Sequence, residues 1–228
     1  MSQADPTRRF SDRVADYVRY RPGYPREAVD AVVMLCNLQP GDVVADIGAG
    51  TGILTALLLE RGLRVAAVEP NEAMRAAMEQ QLAGRAGFTS HDGTAEATTL
   101  AAHSVKAVAA AQAFHWFEMD RARREFQRIL EPGRGVALLW NDRRVDTTPF
   151  LRDYERLLQT YGTDYRQVDH KRIDEAQLAA FFSPGRCETR RFENEQVFGF
   201  AALKGRLLSS SYAPPAGHPA HKPMLAEL

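Results

Sequence analysis

Val43-Val44-Ala45-Asp46-Ile47-Gly48-Ala49-Gly50-Thr51-Gly52, read with Val65-Ala66-Ala67-Val68-Glu69-Pro70-Asn71 downstream of it, decides the fold. A β-branched apolar run that ends in an acid, followed by glycines at every second position, describes a buried parallel strand whose chain turns tightly beneath a ligand. The apolar segment Ile53–Arg61 reads as a helix stopped by Gly62, and the next strand finishes at Glu69, where folds of this kind hold a ribose diol. Strand, acid, glycine loop, helix, strand and acid in that order make a nucleoside-binding half-fold.

The loop also discriminates between cofactors. Gly48, Gly50 and Gly52 stand as G-x-G-x-G, whereas the dinucleotide fingerprint needs a glycine where this chain has Ile53. Asp46 at the mouth of the loop would repel the two phosphates of a dinucleotide. A positively charged ligand suits it better, and S-adenosyl-L-methionine carries an α-ammonium and a sulfonium without a pyrophosphate.

On Asp46–Gly52 and Glu69–Asn71 the chain resembles the class I S-adenosylmethionine-dependent methyltransferases. The resemblance implies an α/β fold of Rossmann-like type, doubly wound about a mainly parallel sheet with helices on both faces. It also implies S-adenosyl-L-methionine as cofactor, held by Asp46, Gly48, Ala49, Gly50 and Gly52, by Glu69, Pro70 and Met74, and by Gln112 beyond the fourth strand. The segment His91–Thr98 follows strand three, where this family reads the adenine, so Thr94, Ala95 and Glu96 are expected there. Many relatives have an acid in place of Thr94, and a capped loop is the alternative reading.

The run Phe114-His115-Trp116-Phe117 stands after strand four, on the edge of the sheet where open α/β folds bind ligands. It lacks the Asn/Asp-Pro-Pro-aromatic sequence with which base-directed methyltransferases hold a nucleotide. It is similar instead to the small-molecule enzymes grouped as methyltransferase type 11 and trans-aconitate methyltransferase-like. That similarity implies a small-molecule acceptor against His115 and Trp116, with His115 as the candidate base; an aromatic core with a satisfied histidine is the alternative. Asp16–Pro25 also looks like this group, which implies that a helix and turn carrying Tyr20 and Arg21 close over the methionine end of the cofactor. Arg143, after strand five, is a candidate grip for a substrate carboxylate, against a solvated charge run.

The remaining elements follow from local signals. Helices are expected over Phe10–Tyr20 and Pro25–Leu38, from Asn71 to Leu82, over Arg121–Leu130 capped by Asp120, from Thr148-Pro149 to Gly162, and over Asp174–Phe182. Further strands are expected at Phe88–Asp92, Ala107–Ala111, Val136–Trp140 and Glu188–Val197, with an amphipathic helix over Phe198–Ser211. One domain is expected overall, with residues 1–40 as a helical cap and residues 41–228 as the core, carrying a helical insertion at about 148–182 and a C-terminal tail. The family sheet closes with an antiparallel strand for which this chain offers no candidate. Either a short chain or an unusual tail is therefore expected, with an exposed apolar edge or a gap between Val136–Trp140 and Glu188–Val197.

Composition bounds the rest. In 228 residues, 29 basic and 29 acidic side chains balance to a formal net charge of zero, so the broad positive field that nucleic acid needs is missing. Cys36 and Cys187 form no metal-binding or disulfide pattern and read as buried, reduced thiols. The polar start Met1–Arg9 and the lack of an apolar run of ~18 residues point to the cytoplasm, without a membrane partner, as a monomer or homodimer. Two other classes stay open: a protein that binds S-adenosylmethionine without turnover, and an NAD-type oxidoreductase, which Ile53 and Asp46 oppose.

Overall fold

A computed structural model describes residues 14–165 and 173–228. Five parallel strands, β1 (Val43–Ile47), β2 (Arg64–Val68), β3 (Phe88–His91), β4 (Val105–Ala111) and β5 (Leu130–Leu139), form one sheet in the order β3-β2-β1-β4-β5. The order reverses between β1 and β4, which opens a crevice above the carboxyl ends of those two strands. The glycine loop and the aromatic run both rise from that crevice.

Helices cover both faces because alternate residues of each strand point to opposite sides. Val44, Val65 and Ala107 meet α2 (Arg26–Leu35), α3 (Ile53–Leu59) and α4 (Glu72–Gln81) through Val29, Leu54, Leu58 and Met78. Ala45, Ile47 and Val108 face the other way, onto Phe126 and Ile129 of α5 (Met119–Ile129) and Phe181 of α7 (Glu175–Phe182). A third apolar cluster lies apart from the sheet, where Tyr154, Leu157 and Leu158 of α6 (Pro149–Tyr161) meet Leu207 of α8 (Phe200–Leu208) and Met224 of α9 (His221–Glu227). The segment expected as one insertion thus divides its allegiance: α6 packs with the C-terminal helices and α7 with the sheet.

Several helix starts obey their local signals. The Asn71 side chain accepts from the Met74 amide at 3.0 Å, Thr148 accepts from Leu151 at 3.2 Å, and Asp174 forms a reciprocal capping box with Gln177. Others shift by a residue or more. Pro25 stands at the N-cap of α2 rather than inside it, and that helix ends at Leu35. Helix α5 begins at Met119, behind Glu118, so Asp120 lies in its first turn and caps nothing. Helix α1 spans Val14–Tyr20; Phe10–Arg13 of the expected helix, and the polar start Met1–Arg9, lie outside the described residues.

The strand expected over Glu188–Val197 does not form. Residues 184–199 have no regular structure and are almost wholly exposed, Val197 at 89%. Their charged groups pair nearby, Arg190 with Glu188 and Glu193 with Arg144, while Asn194 donates to the Gly23 carbonyl at 3.0 Å. Phe192 and Val197 are the only apolar residues in Glu188–Val197, so the segment has no apolar face to bury and gains nothing from pairing on the sheet. The edge of β5 is left beside a cleft of ≈ 1820 Å³. Cys36 is half-buried and Cys187 exposed, so the expectation of two buried thiols is corrected for both. Among the described residues no helix is long and apolar enough to cross a membrane.

Candidate functional site

The loop leaving β1 has its shape because Gly48, Gly50 and Gly52 all adopt positive φ, at 69°, 58° and 84°. Gly48 has a second constraint, since a Cβ there would lie 2.6 Å from the Ala113 Cβ, with the Phe117 ring 3.6 Å away. The loop is thereby clamped against the chain that leaves β4. Gly48 and Ala49 donate to the Val68 carbonyl at 2.9 and 3.1 Å, which ties the loop to the end of β2 as well.

Two buried acids flank this loop. Asp46 is 1% exposed; its Oδ2 accepts from the Thr55 hydroxyl at 2.7 Å, and its Oδ1 has no partner. Burial, reinforced by the charge of Glu69, pushes its pKa up to about 7 against the opposing Thr55 bond. Glu69 spreads its oxygens over two amides, accepting from Gly50 and from Asn71, each at 2.8 Å. Burial raises its pKa too, and those amides together with Arg75 oppose the rise. Met74, at the start of α4, brings its sulfur to 3.6 Å from where a Gly50 Cβ would stand, and Pro70 precedes its cap.

A cleft of ≈ 20 Å³, about the room one water needs, lies between Asp46, Gly48, Ala49 and Thr51 on the loop side and Tyr17 and Tyr24 on the other. Thr51 also contributes a buried hydroxyl without a partner. Tyr17, Tyr24, Thr51 and Thr55 are the residues that sequence reasoning missed. Helical spacing was the available signal for Tyr17, which stands one turn before Tyr20 and Arg21. Tyr20 instead packs its ring on Gly205 of α8, while Arg21 donates to the Ser209 carbonyl at 2.9 Å and lies over the Tyr17 ring. Neither lines the small cleft.

Beyond β3, Thr94 is half-buried and bridges to Ala97, and Ala95 enters the core. The Glu96 carboxylate accepts from the Glu118 amide at 2.8 Å, holding this loop to the start of α5. Beyond β4, Gln112 takes a left-handed backbone, φ 56°, and its side-chain amide donates to the Asn141 carbonyl at 3.2 Å. The chain then enters a 3-10 turn, Phe114–Trp116. Phe114 is fully buried among Phe117, Trp140 and Phe181, whereas His115 and Trp116 are half-buried with ring centroids 4.8 Å apart. The aromatic run therefore divides between a core residue and a half-buried pair, and neither member of that pair lines the small cleft or the larger one beside β5.

Arg143 is no solvated loop charge. It pairs with Glu155 of α6, donates to the Tyr165 hydroxyl at 3.1 Å and lies 5.1 Å from the Tyr154 ring centroid. It belongs to the wall of the larger cleft, away from the glycine loop.

A family model described as a methyltransferase domain matches residues 45–138, the span from β1 to β5. The chain is 42% identical over 146 residues to an uncharacterized methyltransferase of Mycobacterium tuberculosis, covering 62% of this chain and 56% of the relative. It is 31% identical over 169 residues to an uncharacterized methyltransferase-like protein of Schizosaccharomyces pombe, covering 72% and 63%. It thus spans less than two thirds of those relatives' lengths. Among solved structures, a putative type II methyltransferase from Anaeromyxobacter dehalogenans superposes with a TM-score of 0.68 at 27% identity, over 91% of this chain and 88% of that one. A putative methyltransferase from an antibiotic biosynthesis pathway of Anabaena variabilis gives 0.51 at 34% identity, over 62% and 55%.

Proposed function

We propose that the chain is a class I S-adenosylmethionine-dependent methyltransferase that moves a methyl group from S-adenosyl-L-methionine to a small-molecule acceptor, a reading supported by its likeness to methyltransferases. The observation that carries this reading is Asp46: a buried carboxylate with one unpartnered oxygen, set beside the glycine loop. A cationic ligand supplies the counter-charge that this oxygen lacks, and a pyrophosphate does not. The residues fit the cofactor. Asp46, Thr51 and the backbone of Gly48, Ala49, Gly50 and Gly52 would hold its amino-acid end, with Gln112 near the reacting centre; Arg21, turned to Ser209 and outside the small cleft, is not assigned to the cofactor carboxylate. Glu69 keeps lone pairs for a ribose diol after accepting from its two amides, with Pro70 and Met74 beside it. Thr94, Ala95 and Glu96 would border the adenine.

Bound there, S-adenosyl-L-methionine supplies an electrophilic methyl on its sulfonium. The chain's own contribution is alignment and exclusion of water: Tyr17 and Tyr24 cover the small cleft, and His115 and Trp116, beyond β4, would screen the acceptor. His115 would take the proton from an acceptor hydroxyl or ammonium, and a carboxylate acceptor would need no base. The balanced charge and the aromatic run favour a small acceptor over nucleic acid, and the reading places the protein in the cytoplasm.

The test is a labelled-methyl screen over small acids, phenols and amines, paired with calorimetry using S-adenosylhomocysteine and NAD. Label transfer together with preference for S-adenosylhomocysteine supports the reading. Binding of NAD alone overturns it. His115→Ala should lower turnover by about 100-fold while the cofactor dissociation constant moves by less than about twofold; unchanged turnover removes His115 from the reaction.

A further inference from the structure

The larger cleft has a corner rich in positive charge. Arg143 and Arg206 line it together with Tyr154 and Tyr212, and Tyr24 lines both this cleft and the small one under Asp46. Arg21, Arg143 and Arg206 all act on the Tyr154 hydroxyl, each opposing the rise in its pKa that burial causes. Only Arg143 has a carboxylate partner, Glu155. Arg206 donates to the Ser210 hydroxyl at 3.1 Å and Arg21 to a carbonyl, and neither reaches an acid among the described residues. Three guanidinium groups thus face one carboxylate.

Unfilled donors mark the same region. Arg21 Nε and Arg143 Nη1 are buried without acceptors. Burial and the nearby Arg21 push the Arg206 pKa below its ordinary value, the direction expected of a cation short of counter-charge. Buried cations are kept where a partner completes them. Excess donors and excess positive charge call for an anion with several acceptor oxygens, which a guanidinium fork binds in a defined plane.

We propose that this corner is an anion subsite, in which Arg206 and Arg143 hold a carboxylate or phosphate of the methyl acceptor while the rest of the acceptor extends past Tyr24 toward the glycine loop. The assignment to the acceptor rests on the methyltransferase reading; the binding of an anion does not. Tyr154 and Tyr212 add hydroxyl donors.

The test uses the full chain saturated with S-adenosylhomocysteine, titrated calorimetrically with inorganic phosphate, benzoate and, as neutral isostere, benzamide. At least one of the two anions should bind saturably and benzamide should not. Arg206→Gln should weaken the anion by about tenfold or more, Arg206→Lys by less, and Arg143→Gln should act in the same direction. S-adenosylhomocysteine affinity should stay within about twofold throughout. Failure of both anions to bind, equal binding of benzamide, or anion affinity indifferent to Arg206→Gln overturns the subsite. So does a loss of S-adenosylhomocysteine affinity as large as the loss for the anion, which would assign these arginines to the cofactor. Failure of the unaltered chain to bind S-adenosylhomocysteine overturns the methyltransferase reading alone, and the same anion titrations without it then decide the subsite.

Discussion

At the scale of single residues, Asp46 links the fold to the chemistry through its proton. With a pKa near 7 in the free protein, it is largely protonated in mild acid, and a cationic ligand must displace that proton to gain a counter-ion. Affinity for S-adenosylmethionine should therefore fall as the pH drops from about 8 to about 5.5, approaching tenfold per unit below 7. Ligand-free stability should run the other way. A carboxyl whose folded pKa is raised above its unfolded value favours the folded state less as the pH climbs from about 4 toward 7. Calorimetric titrations across this range check the first trend, and Asp46→Asn should flatten it while weakening binding at pH 8. A slope that survives in Asp46→Asn assigns the titration to another group. Asp46 was legible in the sequence because it ends an apolar strand immediately before the glycines. Its unpartnered oxygen was not, since that depends on where Thr55 and Glu69 stand in space.

Among elements, the loop after β3 is held by α5. The Glu125 carboxylate accepts from the Thr98 amide at 2.8 Å and the Thr98 hydroxyl at 2.5 Å, and takes both Nε and Nη2 of Arg128 at 2.7 and 2.8 Å. Arg128 reaches on to the Leu100 carbonyl at 2.7 Å. These bonds hold the Glu125 pKa down at about 2, the Arg128 contact foremost. A depressed carboxylate contributes stability that is fully present above its unfolded pKa of about 4.3 and is lost as pH falls toward 2. After discounting for the partly exposed Arg128, Glu125→Gln should cost about 2 kcal/mol at pH 7, a difference that shrinks to near zero by about pH 2. Urea unfolding at several pH values reads this directly, and a pH-independent difference would make Glu125 a packing residue only. Helices were legible from spacing, and α4, α6 and α7 from their caps as well, because those signals act within one or two turns. The Glu125–Thr98 tie, 27 residues apart in sequence, has no local signature. Nor has the Arg143–Glu155–Tyr165 cluster, where the expectation of a loop charge gave way to a partly buried one.

For the whole molecule, the sheet from β1 to β5 followed from the alternation of strand and helix signals. The segment over residues 188–197 misled because Phe192 and Val197 are its only apolar residues, too few to make a strand face worth burying. A long-range dependence governs the N-terminal cap. Helix α1 carries Tyr17 to the small cleft, yet its seat is α8, some 185 residues later, where a Cβ on Gly205 would fall 2.1 Å from Tyr20 Cε2. Arg21 adds a bond from the same turn to Ser209. Gly205→Ala therefore cannot be accommodated without moving the Tyr20 ring and, with it, the end of α1 that covers the loop. Stability should fall by about 1–3 kcal/mol, and S-adenosylhomocysteine should bind several-fold more weakly because Tyr17 and Tyr24 no longer close the small cleft. Adding Tyr20→Ala removes the obstacle, so the double variant should recover part of the stability that Gly205→Ala loses, a coupling readable in a double-mutant cycle. If Gly205→Ala destabilises the protein but leaves cofactor affinity unchanged, α1 is a packing helix and the cap plays no part in holding the ligand.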